Sequence, residues 1–402
     1  MRISTNWLYT SGAAAISHKQ AEMLRTQEQL STGRRVLTPS DDPVAASSAL
    51  AADQARALAA QFARNQGFAQ DSLQIAESAL AQVGDVLQDV RALAVHAGSG
   101  ALSAADRVSL ARDLRGRIDT LLSLANARDG SGGYLFSGFQ KGVQPFARSA
   151  GGVSYLGDQG SRVIQVGVQR QLEVSASGAL VFEGARAGNG SFVISPGATN
   201  TGSAIADAGV VVNPANLTGH DYRVVFGVSG GSTVYDVINV TTATTIVTGA
   251  AYVPGGAIGF DGLRFSVTGT PADNDVIDIA PSPRRSVFDT LDNLAALLES
   301  SASGAVGAAE FRTRLTGALA SVDQAHDHLL SVRTGLGARL RELDSLSQLT
   351  ADHELQHQRE LSRLVDLDYA EAISRLSQQQ ISLDAAQKSY LRLTSLSLFS
   401  FL

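Results

Sequence analysis

Apolar residues recur in alternating steps of four and three from Ala69 through Leu73, Ala76, Leu80, Val83, Leu87, Val90, Ala94 and Ala97. That spacing is the seam of a coiled coil. Leu315, Leu319, Val322, Leu329, Leu336, Leu340 and Leu343 repeat it near the other end. Between the two seams the chain turns rich in Gly, Thr and Val, and the period becomes two, as in Arg162 to Val168. The pattern predicts an α+β protein: a long antiparallel helical bundle or coiled-coil rod built from both chain ends, with an inserted all-β, sandwich-like module as a side branch.

Punctuation residues set the boundaries. A first helix is expected from about Thr5 to Thr32, with Tyr9, Ile16, Met23 and Leu30 on one heptad position and Ala13, Gln20 and Gln27 on the other. A seam that is half polar stabilises a helix only weakly. Gly33 is placed to end it in the left-handed conformation, and Pro39 excludes its continuation. Asp42 and Pro43 open a second helix that runs to the break at Gly98-Ser-Gly100. A third begins with the capping box Ser103-Ala-Ala-Asp106, turns Leu114, Ile118, Leu121 and Ala125 inward, and ends near Gly130 to Gly133.

Short strands are predicted at Val153 to Leu156, Arg162 to Val168, Tyr222 to Val228, Val234 to Val240, Leu263 to Val267 and Val276 to Ile279. Pro281 and Pro283 close the module, and Ser286-Val-Phe-Asp289 reads as a second capping box. A loop around Ser303 to Gly307 then precedes a helical region from about Glu310 to the end. The resulting division is a terminal helical domain of residues 1–42 and 361–402, a helical rod of 43–138 and 282–360, and a β domain of 139–281.

Composition narrows the partners. The chain has 402 residues, 44% of them hydrophobic, and a net charge of −6. Its 32 basic residues are scattered and form no stripe that could follow a nucleic-acid backbone or an anionic membrane, so neither is expected as a partner. There is no cysteine, which removes disulfides, thiolate metal sites and cysteine nucleophiles. The apolar run Ala13 to Ile16 is too short for a secretory signal, and nothing reaches the length of a membrane span. On the residues alone the expected location is the cytoplasm, unless a specialised export route operates.

Candidate chemistry is sparse. His353-Glu-Leu-Gln-His357 matches the HExxH pattern, in which two histidines one helical turn apart hold zinc and the glutamate acts as general base. Its place in a bundle helix, with no third ligand, favours the reading as solvated or seam residues. His326 and His328 sit two residues apart and point to different helix faces. The pairs Gly151-Gly152 and Gly230-Gly231 precede strands, so they read as turns and not as phosphate-binding loops. No catalytic residue, cofactor or metal is expected.

One stretch carries more information. Leu30-Ser-Thr-Gly-Arg-Arg-Val-Leu-Thr-Pro-Ser-Asp-Asp-Pro-Val-Ala-Ala46 is physically a helix stop, a connector and a capped helix start. As a motif it resembles the amino-terminal signature of bacterial flagellins and hook-associated proteins. Asp368-Tyr-Ala-Glu-Ala-Ile-Ser-Arg-Leu-Ser-Gln-Gln-Gln380 resembles the terminal-helix motif of the same superfamily. Tyr134-Leu-Phe-Ser-Gly138 and the closing Leu396-Ser-Leu-Phe-Ser-Phe-Leu402 are similar to its hook–filament junction branch. Ser400 and Phe401 depart from that branch, standing where acidic and tyrosine residues are expected.

The resemblance implies an extracellular structural protein that forms a ring with copies of itself between hook-associated protein 1 and the flagellin filament. It also implies unfolded export through the flagellar type III apparatus and a cytoplasmic export chaperone. The expected assembly residues are Ile16, Met23, Leu30, Arg34, Asp41, Asp42, Tyr369, Ile373, Leu376, Leu393, Leu396, Leu398, Phe399, Phe401 and Leu402. Both ends are expected to order only on assembly, because the half-polar first helix cannot cover the apolar tail by itself. The alternatives are a flagellin that forms the filament, and a secreted zinc metallopeptidase acting through His353, Glu354 and His357.

Overall fold

A computed structural model describes residues 5–99, 102–300 and 304–395. Helix α1 spans Thr5–Thr32 and α2 spans Pro43–Ala97. They are separated where Gly33 takes φ +70° and its amide bonds Gln29 O at 2.9 Å. Asp42 then caps α2, its Oδ1 accepting from the Ala45 amide at 2.9 Å. Helix α3, Ala104–Ala125, opens with both halves of the capping box: Ser103 Oγ accepts from Asp106 N at 3.2 Å and Asp106 Oδ2 accepts from Ser103 N at 2.9 Å. The remaining helices are α4 (Gly178–Phe182), α5 (Val287–Glu299), α6 (Gly304–Val365) and α7 (Tyr369–Ser395).

Three helix boundaries differ from the sequence expectation. Ser286 caps α5 from one side only, accepting from Phe288 N at 3.1 Å. Helix α6 already begins at Gly304, so residues 304–307 are helix and not loop. The helical region expected from about Glu310 onward is two helices, divided at Asp366 to Asp368, where the backbone leaves α6 to pair with the connector after α1. Asp368 restarts α7 by accepting from Ala370 N and Glu371 N at 2.9 and 3.1 Å.

Two compact units result. The first comprises residues 1–66 and 345–402. In it α1 runs antiparallel to α7, with Ile16, Met23 and Leu30 half-buried and Thr26 and Gln29 buried on α1, and Ala372 and Leu383 buried on α7. Ala13, Gln20 and Gln27 are exposed. The second seam position of α1 is therefore the Lys19 and Thr26 line and not the one expected from sequence. Both candidate lines are polar, so hydrophobicity could not choose between them.

The second unit comprises residues 67–344. Its part of α2 buries every predicted seam residue from Ala69 to Ala97, and α6 buries Leu315, Val322, Leu329, Leu336 and Leu343, with Leu319 and Leu340 half-buried. Arg333 to Glu77 at 2.6 Å and Arg91 to Asp323 at 2.6 Å flank this antiparallel seam. Helix α3 packs Leu114, Ile118 and Leu121 against α5, whose Leu291, Leu294 and Leu298 are fully covered.

The strands of this unit are all antiparallel. Hairpins β1–β2 (Phe146–Ser149, Gly152–Tyr155) and β3–β4 (Val163–Gln165, Gln171–Glu173) come first. They are followed by β5 (Phe192–Pro196), β6 (Ile205–Ala206), β7 (Val210–Val211), β8 (Tyr222–Ser229), β9 (Ser232–Asn239), β10 (Thr244–Ala251), β11 (Ala257–Phe260), β12 (Leu263–Thr268) and β13 (Val276–Pro281). One sheet has the order β10-β9-β8-β13-β5; the other is β11-β12-β6, with β7 also on β12. Phe192, Val224, Phe226, Val237, Ile258, Phe265, Val267 and Ile277 fill the core between them, the expected sandwich. Gly230-Gly231, both at positive φ, make the two-residue β8–β9 turn.

The inserted residues do not simply branch away. Phe136, Phe146 and Phe182 cluster with Phe288 of α5, with ring centroids 5.1–5.8 Å apart. A row on α6 also receives the insert: Thr313 Oγ1 accepts from Ala206 N, Ser321 Oγ accepts from Gly188 N at 2.7 Å, and His328 Nε2 donates to Leu180 O at 2.7 Å. Arg339 and Glu342 of the same helix pair with Glu173 and Arg170. The sandwich itself leaves through a two-stranded stem, with Ala187 N bonded to Pro283 O at 3.0 Å and Arg285 N to Ala185 O at 2.9 Å.

Candidate assembly surface

In the first unit the candidates Arg34, Asp41 and Asp42 lie at one level, where the chain breaks after α1 and again after α6. Arg35 N bonds Val365 O at 2.7 Å, Leu367 N bonds Gly33 O at 3.0 Å, and Arg34 lies opposite Asp366 in an antiparallel bridge. The Arg35 guanidinium donates to Leu364 O at 2.8 Å, satisfying a carbonyl that the end of α6 leaves without a helical partner, and reaches Asp42 at 3.3 Å. Gln29 Nε2 donates to Arg35 O at 2.7 Å. Both breaks are thus tied into one small ladder.

The two aspartates of the connector are structural. Asp41 accepts from the Leu37 and Thr38 amides at 2.9 and 3.0 Å and from Arg25 at 2.5 Å. Those amides, with Arg25 behind them, hold its carboxyl below the usual range. The Ala45 amide, with Arg35 behind it, does the same for Asp42. Lys19, Arg25, Arg35, Asp41, Arg375 and Gln379 line an open polar cleft of about 720 Å³ between α1, the connector and α7.

The apolar candidates divide. Ile16, Met23, Leu30 and Leu376 are half-buried where α1 meets α7, whereas Tyr369 and Ile373 are 54% and 55% exposed. The side chain of Leu393 and all of Leu396, Leu398, Phe399, Phe401 and Leu402 lie outside the described residues. Sequence reasoning passed over Trp7, Leu24, Ile381 and Leu391, all more than 60% exposed. The available signal was their position off the α1–α7 seam.

His353 and Glu354 are exposed on α6, and His357 is half-buried with Nδ1 4.0 Å from Glu360 Oε2. Among the described residues no three histidine or carboxylate side chains converge to hold a metal ion. His326 lies 3.3 Å from Gln88 Nε2, on a different face from His328. No helix among the described residues is long and apolar enough to cross a membrane.

Residues 3–141 match the bacterial flagellin N-terminal helical region. Helices α1 to α3 and the connector after α1 lie within that flagellin-type helical region. Over 406 residues, covering 99% of both chains, the sequence is 29% identical to flagellar hook-associated protein 3 of Salmonella typhimurium. The crystal structure of Xanthomonas campestris FlgL superposes with a TM-score of 0.71 at 31% identity, covering 77% of this chain and 99% of that one. The flagellin of Aquifex aeolicus, by contrast, is 33% identical over only 34% of this chain and 27% of its own.

The chain belongs to the flagellar hook-associated protein 3 (FlgL) family, the hook–filament junction proteins. It is a structural component of the bacterial flagellum.

Proposed function

We propose that copies of this chain form a ring outside the cell, seated on hook-associated protein 1 and receiving the first flagellin subunits. The observation that carries the reading is the outward apolar surface of the α1–α7 pair, where Trp7, Leu24, Ile373 and Ile381 remain more than half exposed. Large apolar side chains grouped on one helical pair fit protein contact better than solvent. In this reading residues 1–42 and 361–402 form the inner tube. Residues 43–138 and 282–360 form the surrounding wall, and 139–281 form the outer surface. The chain is exported unfolded with the help of a cytoplasmic chaperone, and it catalyses no reaction.

Deleting the gene tests this. The expected result is hooks that carry hook-associated protein 1 but no filament, with flagellin shed into the medium, and restoration by the intact gene. Normal filaments on the deletion strain would overturn it.

A further inference from the structure

Phe139 is 65% exposed, yet its backbone is pinned. Its amide and those of Gln140 and Gly160 all donate to the Asp158 carboxylate, at 3.0, 3.2 and 2.8 Å, and Asp158 N bonds Ser137 O at 3.2 Å. The ring lies against Gly160, where any Cβ would collide with it. Leu156 and Val163, on either side of that turn, are 53% and 54% exposed. A large apolar side chain held in place before binding is the usual form of an interface anchor, because little conformational freedom remains to be lost.

The charge around this anchor is positive. Asp129 accepts from Ser131 N and Gly133 N at 3.0 and 2.9 Å and pairs with Lys141 at 3.0 Å, while Asp158 is taken up by its three amides. Arg128 stacks over Tyr134, its Cζ 4.6 Å from the ring centroid, and Arg162 keeps a buried Nε without a hydrogen-bond partner among the described residues. Neither arginine forms an ion pair among those residues, Asp129 acting on Arg162 only from a distance.

A surface of opposite character lies on α2 of the same compact unit. Phe68 is 65% exposed and Ile75, two turns on, is 37% exposed. Between them Asp71 is exposed and meets no cation among the described residues. Positions 68, 71 and 75 fall on one helix face. Gly67 stands beside them, and no other part of the chain comes within 4 Å of where its Cβ would be. A glycine inside a helix weakens it, and no packing within this chain offsets that.

Taking the chain to form a ring, as proposed above, we propose that Phe139 of each copy seats on the Gly67, Phe68 and Ile75 face of α2 in the next copy, with Asp71 of that copy facing Arg128 and Arg162. An apolar and basic patch meets an apolar and acidic one, and this charge complementarity makes a second copy of the chain the occupant. Two different patches joined head to tail give a contact that repeats around a closed circle. Gly67 lets the aromatic ring approach the helix backbone.

Photocrosslinking on intact flagella tests this, with p-benzoylphenylalanine in place of Phe139. Ultraviolet light should give a dimer of this chain whose link falls in the tryptic peptide 65–91. Asp71→Arg and Arg128→Glu should each lower the amount of chain at the junction about tenfold, and the two together should restore it. That charge exchange decides the matter if the photoreactive variant does not assemble. Chain at the junction without a link, or with links only to hook-associated protein 1, to flagellin or elsewhere on this chain, would overturn the contact and leave the ring standing, as would a double exchange no better than the single ones. Absence of the chain from the junction would overturn the ring and the contact together.

Discussion

A Cβ on Gly33 would lie 2.7 Å from the Tyr369 hydroxyl, at the level where the chain breaks after α1 and after α6. Gly33 also holds φ +70°, a conformation that costs other residues about 1–2 kcal/mol. Gly33→Ala should therefore loosen the pairing of α1 with α7 by at least that amount, while the α2–α6 seam between Leu73 and Leu343 keeps its stability. Hydrogen exchange checks this: amides of α7 should exchange roughly 5- to 30-fold faster. Adding Tyr369→Phe should recover part of the loss by removing the clashing oxygen. Unchanged α7 exchange in Gly33→Ala would contradict the tied-break geometry.

The sandwich should be removable at its stem. Joining Gly188 to Ser282 through a short Gly/Ser linker removes one core and leaves the cluster of Phe136, Phe146, Phe182 and Phe288 intact. Circular dichroism should then show cooperative helical melting close to that of the full chain. Joining Gly138 to Ser282 removes Phe146 and Phe182 from Phe288 as well. Truncating buried aromatics costs about 3–5 kcal/mol each, so this second variant should melt much earlier or without cooperativity.

Acid should act in opposite senses at two carboxyls. Burial, with Asp289 nearby, raises Glu183, so the folded state binds its proton more tightly than the unfolded state does. Stability then falls as pH rises through the raised value, and Glu183→Gln should raise the melting temperature at pH 7 with little effect near pH 3. Asp42 is lowered, chiefly by the Ala45 amide. Its contribution is present above the ordinary carboxylate range and is lost as pH falls through the lowered value. Asp42→Ala should thus lower the melting temperature at pH 7 and change it little at pH 2.

Where one apolar face decides the packing, the sequence was legible. The α2 seam alternates in steps of four and three with aliphatic residues throughout, the α6 seam is interrupted only at His326 and Arg333, and the structure buries or half-buries the apolar residues of both. The caps at Asp42 and Ser103 were readable because their side chains bond local amides. Three features were not legible, because they depend on distant chain. The second seam line of α1 is polar at Lys19 and Thr26 and was mistaken for Ala13, Gln20 and Gln27. The break at Asp366 to Asp368 depends on Gly33 to Arg35 more than 300 residues earlier. Strands such as β6 and β7 are two residues long and carry no periodicity. In the connector the motif residues Arg34, Asp41 and Asp42 are recognisable from the resemblance, but their local roles emerge only from the backbone bonds around them.

Surface and core substitutions should separate stability from assembly. Leu80 is fully buried in the α2 seam, and Leu80→Ala should cost about 2–5 kcal/mol. Ile381 is 72% exposed on α7, and Ile381→Glu should change the monomer's stability by no more than about 0.5 kcal/mol. Incorporation into flagella should nevertheless fail for Ile381→Glu. A variant that incorporates normally would remove the outward face of α7 from the assembly surface.

Immunogold labelling of intact flagella, with an antibody against the sandwich of residues 192–281, tests the central reading most directly. The expected result is one narrow band of label between hook and filament on each flagellum. Label along the filament, or flagella that carry none, would contradict it.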